Sequence, residues 1–141
     1  MIPDPSIWSK AHGAFTHFPI ALMLVSAFCD GVSPFCGNAE RQRALCSTAT
    51  ITIVLGALGS YAAVATGLMM TKWQVWGHGT LLHHHQFVWP AFALMVGLAT
   101  WRVITRRTVE RPPTAYLALM LLATALMSGA GYWGGELLNR V

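Results

Sequence analysis

The chain has 141 residues, is 55% hydrophobic and only 10% charged, and carries a formal net charge of +4 with a mean hydropathy of +0.51. Soluble domains carry about 25% charged residues, so this chain lacks the charge to coat a water-facing surface. Its basic residues fall between apolar runs and form no stripe, which argues against nucleic acid as a partner. An integral membrane protein with a single domain over residues 1–141 is the natural expectation.

The N-terminal MIPDPSIWSK has prolines and an aspartate where a signal peptide has a basic region. The first apolar run is therefore expected to stay in the mature chain. Four uncharged or nearly uncharged stretches follow, predicting helices over about residues 15–33, 45–71, 81–104 and 114–135. Each reaches or approaches the ~20 residues that cross a hydrocarbon core of ~30 Å. Lipid offers no partner to backbone N–H and C=O groups, so these spans are helical, and the lack of strict alternation argues against a β-barrel. The links SPFCGNAERQR, TKWQVWGHG and RRTVERPP are short and broken by proline or glycine, which makes successive helices antiparallel neighbours. The predicted fold is all-α: an integral membrane, up-down four-helix bundle.

Charge sets the expected orientation. Arg41, Arg43, Arg102, Arg106, Arg107 and Arg111 fall at one face, and Lys10, Lys72 and Arg140 at the other. The positive-inside rule puts the arginine face in the cytoplasm and both termini in the periplasm of a bacterial inner membrane. Trp8, Trp73, Trp76, Trp89 and Trp133 gather toward the other face and read as an interfacial belt. Cys29, Cys36 and Cys46 form no CxxC or CxxCH, so covalent c-type haem attachment is not encoded, and they read as apolar fillers or free thiols. Gly56, Ser60, Ala63 and Gly67 in the second span, and Ser128, Gly131, Gly134 and Gly135 in the fourth, form small-residue stripes that permit close packing or clear room for a flat cofactor.

All six histidines are expected near the periplasmic face. His12 and His17 precede the first long apolar run, and His78, His83, His84 and His85 precede the third. One histidine at a helix end is ordinarily an interfacial residue; six at one face point to a buried iron. His12 and His17 are five apart, about 140° around a helix, so they do not share one seam. His17 and His85 are the deeper members of their groups, which makes them the expected axial pair for a haem b, with His12 and His78 as a second, shallower pair. Lys72 and Arg140 are placed for haem propionates, and Glu136 for a hydrogen bond to a ligand histidine; each reads equally well as an ordinary surface charge. No internal repeat of convincing strength is visible, although the first and third spans both open with histidine, aromatic and proline. No Ser-His-Asp pattern or phosphate loop is present.

The motif HGAFTHFPIAL resembles the opening run of the DUF2231 family of small predicted membrane proteins, typically His-Pro-x-x-x-His-Phe-Pro-Ile-Ala-Leu, with Gly13 in place of the proline. ATGLMM resembles its Thr-Gly turn, and PPTAYLALMLLATALMSGAGYWGGELL its closing Gly-x-x-Gly-Gly-Glu-Leu helix. The resemblance spans nearly the whole chain. It implies a module like membrane cytochromes b, and it singles out His12, His17, His85 and Glu136. The expectation is a b-type cytochrome subunit with one or two haems b, passing electrons between a periplasmic cytochrome or dehydrogenase and quinone or other subunits of a membrane redox complex. The alternative is a structural or assembly subunit without cofactor.

Overall fold

The structure, a computed structural model, describes residues 7–105 and 112–139. Four helices, α1 (Ile7–Val32), α2 (Ala39–Met70), α3 (Thr80–Thr105) and α4 (Thr114–Asn139), make up the described chain, with a 3-10 turn at Ser33–Phe35. All four are long and apolar enough to cross a membrane. The chain is a multi-pass, all-α membrane bundle.

The helices outrun the apolar stretches that predict them. α1 begins at Ile7, not near residue 15, so His12 and His17 lie on the helix and not at its entrance. Pro19 is consequently well inside α1, as Pro90 is inside α3. α2 begins at Ala39, not near residue 45. There Asn38 caps it, its Oδ1 accepting from the N–H groups of Glu40 (2.9 Å) and Arg41 (3.1 Å). Hydropathy detects the hydrocarbon core, whereas a capped helix continues through the interface, where polar side chains are tolerated.

α1 packs chiefly on α2, and α3 chiefly on α4; the α2–α3 and α1–α4 faces close the bundle less extensively. α1 and α3 therefore stand on one diagonal and α2 and α4 on the other. This is the arrangement of two helical hairpins about a two-fold axis along the bundle.

Many of the buried positions follow that arrangement. α1 buries Pro19, Met23, Ser26 and Asp30; α3 buries Ala91, Met95, Leu98 and Arg102. Each is 72 positions beyond its counterpart, the separation of Asp30 from Arg102. α2 buries Ala49, Ile53, Gly56 and Ala63, and the matching α4 positions, Tyr116, Met120, Ala123 and Ala130, are buried as well. These recurring positions have the pattern of a parallel repeat of two hairpins. The sequence conceals it because matching positions share burial more than identity.

Met23, Ile53, Met95, Leu98, Tyr116 and Met120 form the centre of the core. Lipid is as apolar as these side chains, so their burial contributes through close contact and not through escape from water. Small residues permit that contact: a Cβ on Gly56 would sit 3.4 Å from Leu22 and 3.6 Å from the Pro19 carbonyl.

Arg102 departs from its expected place on the cytoplasmic surface. Its side chain is 7% exposed, and Nη2 donates to Oδ1 of fully buried Asp30 and to the Cys46 carbonyl at 3.3 Å. The guanidinium lies 5.2 Å from the Tyr116 ring centroid. A charge in this half of the bundle persists because another charge meets it. Arg106, Arg107 and Arg111 lie outside the described residues.

Candidate functional site

Opposite the Asp30–Arg102 pair, at the histidine end, the four helices diverge around a cavity of about 390 Å³. Its wall is mostly apolar and belongs to both hairpins. The lining residues are largely matched pairs: Ser9 with Leu81, His12 with His84, Thr16 with Val88, Ile20 with Phe92, Ala63 with Ala130, Gly67 with Gly134. The cavity therefore lies on the two-fold axis.

His12 and His84 carry the same local device. Nδ1 of His12 donates to the Ala63 carbonyl at 2.9 Å, and Nδ1 of His84 donates to the Ala130 carbonyl at 2.9 Å. A carbonyl only accepts, so each ring must hold its proton on Nδ1, which leaves the Nε2 lone pair available. Gly67 and Gly134 each stand one turn after the accepting carbonyl and give the ring its room. A Cβ on Gly67 would come within 3.0 Å of His12 Cε1, and one on Gly134 within 3.3 Å of His84 Cε1. Histidines that ligate metals characteristically donate the other ring nitrogen in this manner.

The remaining candidates divide. His85 lines the cavity and is only 6% exposed, and its Nδ1 has no hydrogen-bond partner among the described residues. Its ring centroid lies 6.1 Å from that of Trp89. His17 also reaches the cavity wall, but its side chain is largely exposed, and its match in the second hairpin is Trp89. His85 in turn matches Gly13. His17 and His85 thus share the cavity but not the two-fold relation that joins His12 to His84.

His78 is not brought to the cavity. Helix does not persist back from His85, because Gly77 and Gly79 adopt left-handed φ values of 65° and 58° and leave His78 exposed in the connection. The expected His12–His78 pair is therefore not assembled. Lys72 is exposed in the turn after α2, with φ 52°, and Glu136 is half-buried on α4; neither lines the cavity. Arg140 lies outside the described residues. His83 is exposed and stacks on Trp133, ring centroids 4.8 Å apart.

Sequence reasoning passed over His84 because depth was the criterion, and depth favours His85. A usable signal existed: Ala63-x-x-x-Gly67 on α2 recurs as Ala130-x-x-x-Gly134 on α4, each an acceptor carbonyl followed one turn later by the glycine that exposes it.

The fit to a haem can be judged from the donor set. Among the described residues, no group of three or more His, Cys, Asp or Glu is placed to hold a bare ion. Two imidazoles with fixed tautomers, lining a largely apolar space, have donor chemistry that suits an iron whose other four ligands come from a macrocycle. The family model described as "Predicted membrane protein (DUF2231)" matches residues 9–141. No curated protein and no solved structure matches the chain.

Proposed function

We propose, for a chain that belongs to the DUF2231 family of predicted membrane proteins, that the cavity receives one haem b, which His12 and His84 would hold through their imidazoles. The observation that supports this reading is the matched pair of Nδ1–H bonds to Ala63 and Ala130, made by two histidines that line one cavity. A haem bound there would supply one-electron chemistry. The protein's residues orient the ligand rings, keep water from most of the site with Ile20, Val88 and Phe92, and leave buried His85 as a polar contact at the rim.

The protein then acts as a b-type cytochrome subunit that passes electrons at its histidine end. Its partners are a periplasmic cytochrome or dehydrogenase on the aqueous side and quinone or further membrane subunits on the lipid side. Arg41 and Arg43, at the end opposite the cavity, support an inner-membrane orientation with the histidines and both termini in the periplasm.

The test is a reduced-minus-oxidised optical spectrum of the purified protein, made with ample haem supply. Soret and α bands of a low-spin bis-histidine haem are expected. Their absence removes the reading and leaves a structural or assembly subunit as its replacement.

A further inference from the structure

Along a two-fold axis, matching residues of the two halves meet one another. Asp30 and Arg102 do so: they are matched positions on diagonal helices, both are buried, and their side chains form an ion pair. Met23 and Met95, two turns away, are also matched and share the core. There, identical residues meet without penalty. At position 30/102, identical residues would press two carboxylates or two guanidiniums together away from water, and an unpaired buried charge is strongly destabilising.

Among the described residues, the rest of the buried inter-hairpin surface can discriminate by shape but not by charge. It is built of matched apolar and small residues, and in lipid such surfaces pack by shape with little other preference. A second copy of the α1–α2 hairpin would offer a face that is likewise buried and uncharged apart from this position, though with Ala49 where the α3–α4 hairpin has Tyr116 and Ser26 where it has Leu98. The residue on the axis is the exception, since a second α1–α2 hairpin presents aspartate to aspartate and a second α3–α4 hairpin presents arginine to arginine.

We infer that the Asp30–Arg102 pair is a pairing discriminator: it makes the α1–α2 hairpin accept the α3–α4 hairpin and refuse a like hairpin from another copy of the chain. Specificity here rests on a penalty against the wrong partner as much as on attraction to the right one. This inference is independent of haem.

The test uses the full chain in detergent, with association state read by native mass spectrometry. The neutral variant D30N/R102Q is expected to fold but to shift about half or more of the protein into larger, hairpin-exchanged species. The reversed variant D30R/R102D should keep the parent's association state. The like-charged variants D30R and R102D should each be recovered at about one-tenth of the parent yield or less. Co-expressed with different tags, they should copurify one to one, because each supplies the charge the other lacks. A D30N/R102Q protein with the parent's association state overturns the inference, as does failure of D30R and R102D to copurify. Should D30N/R102Q not be recovered, D30R/R102D decides: recovery in the parent's state supports the inference, and loss overturns it.

Discussion

His12 and His84 stand at matching positions of diagonal helices, and each gives its Nδ1 proton to a backbone carbonyl of the neighbouring helix at 2.9 Å. The two rings are 72 positions apart, the separation of Asp30 from Arg102, and the fold brings both to the lining of one cavity. Position, tautomer and clearance are all duplicated with them, and single changes can therefore be compared between halves.

The first comparison concerns the ligands. His12→Ala and His84→Ala should each abolish the haem spectrum, whereas His83→Ala should leave it intact. His83 is exposed and occupied with the Trp133 ring. His17→Ala should shift the bands little, since His17 has no histidine counterpart. Spectra of the four variants, normalised to protein, check the assignment. Loss of the bands in His17→Ala with retention in His12→Ala would transfer the ligand role to His17.

Glycine substitutions probe the clearance. Gly67→Ala would bring a methyl to 3.0 Å from His12 Cε1, against 3.3 Å from His84 Cε1 for Gly134→Ala. Overpacking of this kind typically costs about 1–3 kcal/mol. Gly67→Ala is expected near the upper end and Gly134→Ala near the lower, with the same order in retention of the proposed haem. Thermal unfolding in detergent gives the ranking.

A second glycine pair separates a movable obstacle from a fixed one. A Cβ on Gly59 would lie 2.7 Å from the Phe18 ring, and one on Gly129 2.5 Å from Phe87. Phe18 is 50% exposed and can swing toward lipid, while Phe87 is half-buried. Gly129→Ala should therefore destabilise by about 1–3 kcal/mol and Gly59→Ala by well under 1 kcal/mol. Equal melting temperatures for the two variants would contradict this account.

Core truncation should be costly even though lipid surrounds the bundle. Met95 is fully buried at the centre of the core. Met95→Ala is expected to cost about 2–5 kcal/mol, because lost contacts are not replaced when the neighbours cannot collapse. Met69→Ala, at a 37% exposed position, should be close to neutral. Chemical unfolding of both variants measures the difference.

Orientation is open to thiol labelling. Cys36 follows the 3-10 turn and is half-exposed, whereas Cys29 is 6% exposed. A membrane-impermeant maleimide should label Cys36 in inverted vesicles and spare it in intact spheroplasts; Cys29 should resist in both. Labelling of Cys36 from the outside would reverse the orientation and put the histidine end in the cytoplasm.

Much of the architecture was determined by the sequence itself. Four long uncharged runs, short links and the cost of unpaired backbone groups in lipid leave little besides an up-down helical bundle. The gathering of histidines at one end also follows from order along the chain, because alternate helices enter from the same side. What only the tertiary structure decided is which side chains meet. Whether His84 or His85 reaches a carbonyl of α4 depends on the rotation of α3, and rotation is set by packing against α4, where Ala130 offers a carbonyl and Gly134 exposes it. Asp30 and Arg102 are 72 residues apart, and a charge near a span's end looks like a surface charge until the bundle closes over it. The duplication stayed hidden for a related reason. Symmetry constrains which positions are buried and which pairs touch, and those demands can be met by alanine opposite tyrosine, or aspartate opposite arginine, with little identity left to read.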